Sequence, residues 1–252
     1  LSKVERREKY IVDDQLDGSI TIYQVNIMNR ISNKTKENRG YGKGEGKNYK
    51  PYIQAHEFNS QGTTVTLRDW ITGRSVELLS QGEAEYWHIL RFNDDIIDIR
   101  EQIPLPKEDT TAIAEEMGCE PAGKGRTTMT SDFFIVYADQ HMEVHSFKKN
   151  MRSIERQRTL ELLNIEKTFW ERKNVSFRMV FGTDINHILA SNIRVCSYYY
   201  EEGSVFDETS CLKHLIIRKK IDVDLTKEKI GIPVLRDVYR KEIAAWMKSR
   251  EM

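Results

Sequence analysis

From Pro51 onward the spacing of apolar residues changes period along the chain, and each change predicts an element. TTVTLRDW (63–70) and RSVELL (74–79) alternate apolar and polar positions as half-buried strands do, with Thr72-Gly73 between them to turn a hairpin. SQGEAEYWHILRF (80–92) shifts to helical spacing; Ser80 stands at the N-cap position, and Glu83 three residues later completes a capping-box pattern. DIIDIREQIPL (95–105) reads as a strand halted by Pro104 and Pro106, and SDFFIVY (131–137) and MEVHSF (142–147) as two more. SIERQRTLELLNIEKTFWERK (153–173) predicts a long helix and SFRMVFG (176–182) a buried strand, so the order is α-β-β-β-α-β. Between the first two of these strands, KEDTTAIAEEMGCEPAGKGRTT (107–128) is polar with a short helical middle, and is expected to form a surface excursion.

The flanks differ from this core. Residues 1–38 mix charge runs such as KVERREK with short β-branched stretches such as SITIY, and are expected to form a mobile or partner-ordered extension. The Gly-rich stretch RGYGKGEGKNYKP (39–51) opens a main domain over 39–182. After Gly182 the pattern becomes helical with an acidic turn, EEGSVFDE, predicting a small, mostly helical domain over 183–252.

Within MEVHSFKK the period of two sets Val144, Ser146 and Lys148 on one face and Glu143, His145 and Phe147 on the other. Asp132 heads the preceding strand, and the tight Ala138-Asp139-Gln140 connection makes the two strands antiparallel neighbours. An aspartate and a lysine, neither of which a core strand needs, therefore meet at one end of the sheet. Glu143 lies on the face opposite Lys148, and Glu85 points away from Glu83 by roughly 200° around a helix of 3.6 residues per turn; neither joins that end. In the long helix Leu162, Leu163, Ile165, Phe169 and Trp170 form an apolar stripe that belongs to the core.

Charge narrows the possible partners. Lys plus Arg and Asp plus Glu each total 39, so no global basic excess marks a nucleic-acid binder and any such site must be a local patch. Arg39, Lys43, Lys47 and Lys50 in the Gly-rich loop, Arg100 and Gln102 on the first core strand, and Arg152, Arg156 and Arg158 after Lys148 are the candidates for phosphate contact. The loop is not a Walker loop, because Tyr41 stands where the first Gly is needed and Asn48 where Ser or Thr is needed. It is either a flexible linker or a basic loop that meets phosphates. Three cysteines without a CxxC pair, a single CxxH at Cys211 and His214, and no apolar run of the roughly 18–20 residues that span a bilayer point to a soluble protein of a reducing cytoplasm.

The αβββαβ order, with SD (131–132) on one strand and SFK (146–148) on the next, resembles the restriction-endonuclease-like nucleases with their PD…(D/E)xK motif, and implies their mixed sheet. A longer series resembles the TnsA family, the endonuclease subunit of heteromeric TnsA–TnsB transposases. Its members are RGYGKGEGKNYKP, LLSQGEAEYW, DIREQIPL, MTSDFF, FK and RTLELLNIEKTFWERK, in that order, between about Ile31 and Asp184.

The resemblance implies a metal-dependent DNA endonuclease that hydrolyses a phosphodiester at the 5′ ends of a transposon. Glu83 and Asp132 would be its catalytic carboxylates and Lys148 its catalytic lysine. Mg²⁺, with Mn²⁺ as a substitute, would be held by Glu83, Asp132 and the Phe147 carbonyl, and Ser146, in place of the family's glutamine, would orient water. Implied partners are double-stranded transposon-end DNA, a DDE-type TnsB transposase and a TnsC-type ATPase, with a winged-helix-like C-terminal domain. Two other readings share the core: a host repair or resolvase-like nuclease, and a non-catalytic DNA-binding adaptor.

Overall fold

A computed structural model of the chain describes residues 31–54 and 64–250, together with the backbone of two strands near the amino terminus. These two, β1 (Tyr10–Asp14) and β2 (Ile20–Gln24), pair antiparallel. The rest of the extension expected over 1–38, up to residue 30, lies outside the described residues.

Helix α1 (Asn33–Asn38) is capped by the Ser32 hydroxyl and leads into the Gly-rich loop. β3 (Val65–Arg68) and β4 (Ser75–Leu78) form the predicted hairpin. Asp69 shapes its turn by accepting from Ile71 N and the Thr72 hydroxyl, and Gly73 takes the left-handed φ of +72° that closes it. There follow α2 (Gln81–Arg91), β5 (Ile96–Pro104), α3 (Lys107–Glu116), β6 (Thr130–Tyr137), β7 (Met142–Lys148), α4 (Gln157–Arg172) and β8 (Ser176–Phe181).

The central sheet runs β5-β6-β7-β8, antiparallel across its first two pairings and parallel between β7 and β8. A parallel pair needs a long crossover, which α4 provides. With the hairpin set apart as its own small sheet, α2, β5, β6, β7, α4 and β8 reproduce the expected αβββαβ order and mixed sheet.

Period-two alternation divides side chains between the two faces. Phe133 and Ile135 enter a core with Trp87, Leu90, Val76 and Leu78, beneath α2 and the hairpin. Phe134 and Val144 enter a second core with Ile165, Phe169 and Trp170 of α4 and Ile113 and Ala114 of α3. Each such side chain, fully buried, contributes about 1.5–3 kcal/mol. The segment expected as a surface excursion is therefore partly structural, because α3 presents Ile113 and Ala114 to this core.

The Gly-rich loop is docked rather than free. Lys43 pairs with Lys50 as an antiparallel bridge, Tyr49 donates its hydroxyl to the Glu101 carbonyl, and Gly46 N donates to Asp98, so the loop covers the outer side of β5.

Beyond β8, α5 (His187–Ser197), α6 (Glu208–Ile217), α7 (Ile232–Val238) and α8 (Arg240–Lys248) surround a third core of Ile193, Leu212, Leu215 and Ile243. Among the described residues no strand follows Phe181, so this region offers no β-wing to its helices. Trp70 and Phe92 pack against it, and His187 bonds Glu85 across 2.6 Å. Glu85, which points away from Glu83 as expected, is half-buried there. No helix among the described residues is long and apolar enough to cross a membrane.

Candidate active site

The β6–β7 register pairs Phe133 with His145, so one position further out Asp132 stands against Ser146 on the face that α4 covers. The Asp132 carboxylate is held asymmetrically. Its Oδ2 accepts from Phe147 N at 2.7 Å, and from Ser146 Oγ and Lys148 Nζ, each at 3.4 Å. Its Oδ1 accepts from Gln102 Nε2, also at 3.4 Å. Lys148 Nζ lies among oxygens, 3.0 Å from Ser146 Oγ and 2.9 Å from the Phe147 carbonyl.

Glu83 approaches from the other side of the sheet. Its place in the first turn of α2 follows from the Ser80 cap: Ser80 Oγ accepts from Glu83 N at 3.1 Å and donates to Glu83 Oε1 at 3.0 Å, while Leu79 N donates to Oε2 at 2.9 Å. Those two donors fix the carboxylate without using all its lone pairs. Burial first, and the Asp132 charge second, push its pKa up to about 7.

A third acid joins them that the sequence pattern did not mark. Glu166, buried in α4, accepts from Ser146 Oγ at 3.3 Å, and its Oε1 is buried with no hydrogen-bond partner among the described residues. Burial and then Asp132 push its pKa up to about 7 as well. The available signal was a charge interrupting the apolar stripe, since Glu166 lies four residues from Leu162 and four from Trp170 on the core-facing side.

Asp132, Ser146, Lys148 and Glu166 thus meet in one hydrogen-bonded group, and Glu83 lies near enough for the Asp132 and Lys148 charges to act on it. Phe147 contributes its backbone: N–H to Asp132, and a carbonyl covered by Lys148. Glu143 stays on the far face, bonded to His145 and Tyr137.

The phosphate-contact candidates separate into three groups. Arg39, Lys43, Lys47, Arg152 and Arg156 are exposed. Lys50, Arg100 and Arg158 are engaged internally: Lys50 Nζ sits 3.7 Å from the Tyr41 ring centroid, Arg100 pairs with Asp98 and Glu45, and Arg158 donates to the Glu120 and Pro121 carbonyls. Gln102 corrects the expectation: its side chain is 1% exposed and lies on Asp132, facing away from any DNA outside.

Among the described residues no three His, Cys, Asp or Glu side chains stand close enough to hold a metal ion by themselves. A hard cation needs less when backbone carbonyl and water complete its shell. The donor set fits such an ion: two buried carboxyls pushed up by burial and then by the Asp132 charge, and one carboxylate oxygen left without a partner among the described residues, with Lys148 beside them.

The αβββαβ core with acids and a lysine gathered at one end of its sheet defines a restriction-endonuclease-like nuclease fold. A family model described as "TnsA-like endonuclease N terminal" matches residues 93–182. The chain is 31% identical over 196 residues to the transposon Tn7 transposition protein TnsA of Escherichia coli, covering 75% of this chain and 71% of that relative. This chain belongs to the TnsA family.

Proposed function

We propose that this chain is the Mg²⁺-dependent endonuclease subunit of a TnsA-type transposase, hydrolysing one strand at the 5′ ends of the element while a DDE-type TnsB partner acts on the other. The observation that carries the reading is the meeting of Asp132 and Lys148, 3.4 Å apart at one sheet end, with Glu83 of α2 near enough to feel both charges.

Mg²⁺, or Mn²⁺ in its place, would be held by Glu83, Asp132 and the Phe147 carbonyl, and would supply charge stabilisation for the pentacoordinate phosphate and acidify a bound water. The chain's own groups do the rest. Asp132 is oriented by Phe147 N, so the strand backbone sets the direction of its free lone pairs. Lys148, on a flexible four-carbon stem, swings off the Phe147 carbonyl to donate to the attacking water or to the charge developing on phosphate oxygen. Ser146, already within reach of Asp132, Lys148 and Glu166, donates or accepts as a small relay where a glutamine amide is usual in the family. Exposed Arg39, Lys43, Lys47, Arg152 and Arg156 meet the phosphates of transposon-end DNA. The helical region after β8 offers the surface for a TnsC-type ATPase, in the bacterial cytoplasm at the nucleoid.

Asp132→Ala tests this in a complex reconstituted with TnsB-type transposase, end DNA and Mg²⁺. Nicking should fall by at least about 10²-fold, the scale on which loss of one preorganised charge-stabilising group acts, with the circular dichroism spectrum unchanged. Nicking by the variant at the wild-type rate rejects the assignment.

A further inference from the structure

The stretch Arg100-Glu101-Gln102, within the DIREQ segment that carries much of the family resemblance, sends three consecutive side chains to three tasks. Arg100 pairs with Asp98 and Glu45, holding the Gly-rich loop. Glu101, fully buried, is gripped by the two terminal guanidinium nitrogens of Arg74. Gln102 is the unusual member. It lies inside β5, yet its φ is +51°, a left-handed conformation that a residue with a side chain adopts at a cost.

The chain changes faces there: Ile99 packs in the first core and Ile103 against the second, although four residues apart on an unbroken strand they would share a face. Glu101 pairs with Phe133 and Ile103 with Ser131, which leaves Gln102 across from Asp132. The amide is oriented by its own partners. Thr130 donates its hydroxyl to Gln102 Oε1 at 3.0 Å, so the NH₂ group must face Asp132 Oδ1.

From this geometry we infer that Gln102 is a positioning residue for the catalytic carboxylate, fixing the plane of Asp132 so that its less-engaged oxygen is presented to a divalent cation. The inference rests on the endonuclease reading above and adds a residue to it. Among the described residues three donors reach Oδ2 and this one alone, at a long 3.4 Å, reaches Oδ1. A neutral donor suits that role: a Lys or Arg at 102 would neutralise the carboxylate and repel the ion, whereas an amide steers it and leaves its charge for the metal. An acceptor at the same side chain is needed too, since without the Thr130 bond the amide could turn its oxygen toward Asp132 and repel it.

The test uses Gln102→Gly, which adopts the left-handed φ freely but removes the amide. A second variant, Thr130→Val, leaves the backbone at Gln102 alone and removes the hydroxyl that orients the amide. Folding is checked by circular dichroism, Mn²⁺ affinity by isothermal titration calorimetry on the protein alone, and nicking kinetics in the reconstituted complex. A folded Gln102→Gly protein should bind Mn²⁺ about 10–100-fold more weakly, the usual cost of losing a group that orients a metal ligand. Its kcat should fall while its KM for end DNA stays at the wild-type value; a residue that instead touched phosphate would raise KM.

Wild-type Mn²⁺ affinity and kcat in folded Gln102→Gly overturn the inference and leave the endonuclease reading standing. Should that variant fail to fold, Thr130→Val decides: weakened Mn²⁺ binding supports the role, and unchanged binding overturns it. Wild-type protein that takes up no Mn²⁺ and does not nick rejects both.

Discussion

At the scale of single residues, Glu166 is the side chain whose cost is most visible. One of its oxygens bonds Ser146, the other is buried without a partner among the described residues, and its pKa stands at about 7. Ionising it in metal-free protein therefore opposes folding, because a buried charge lacks the water that would solvate it. Glu166→Gln keeps the shape and removes the charge. In metal-free buffer at pH 8 the variant should melt above wild type by a few degrees, about 1 kcal/mol at roughly 2–4 °C per kcal/mol, while at pH 5 the two should coincide. A calorimetric scan at both pH values checks this, and a variant that melts below wild type at pH 8 contradicts it.

The same residues show how far sequence reaches. Asp132 and Lys148 were legible because strand alternation and a tight connection leave only one place for them to meet. The cap spacing marked Glu83 as a capping residue, and only the family resemblance marked it as an acid of the site. Glu166 was hidden because a helix stripe records where a side chain points and not what another element brings against it. Gln102 was expected to contact phosphate, and nothing in the letters announces the φ of +51° at this position of β5.

Among elements, the approach of α2 to β7 decides whether Glu83 reaches the sheet end at all. Gly82, in the first turn of α2, lies so near Phe147 that a Cβ there would stand 2.8 Å from two ring carbons; Gly182, just after β8, holds the same ring from another side, its Cβ position 3.1 Å from Cζ. The ring is thus clamped between two glycines, and its backbone N–H is the one that holds Asp132. For Gly82→Ala two effects compete. Alanine improves helix propensity by at most about 1 kcal/mol, and overpacking against a confined ring costs about 1–3 kcal/mol, so packing should win. Denaturant unfolding should show a net loss of about 1 kcal/mol or more, with nicking reduced because the displaced Phe147 carries its strand with it. A more stable, fully active variant would mean the ring moves aside freely.

Element existence and order were readable because period two and period 3.6 are imposed by burial itself. The docking of the Gly-rich loop on β5 was not, since it depends on single long-range bonds such as Tyr49 to the Glu101 carbonyl, for which residue pattern carries no signal.

For the whole molecule, the acids of the site couple stability to both pH and cations. Glu83 and Glu166 rise from an ordinary 4.5 to about 7 on folding, so the folded protein holds these protons more tightly than the unfolded chain does. Stability from this source is complete below about pH 4.5 and is lost as pH climbs through about 7. A divalent cation reverses the sign, since it binds the ionised carboxylates and only the folded chain gathers them. Its stabilisation is small where the acids are protonated and full where they are not. At a cation concentration 100 times its dissociation constant the gain is about 2.7 kcal/mol, which for a chain of this size is roughly 5–10 °C in Tm. Metal-free protein should thus melt progressively lower from pH 5 to pH 8, and Mn²⁺ should raise the pH 8 value by several degrees while barely moving the one at pH 5. Asp132→Ala should show no such response at either pH. Equal shifts at both pH values, or a response that survives loss of Asp132, would place the cation somewhere other than among these acids and separate the fold's stability from its chemistry.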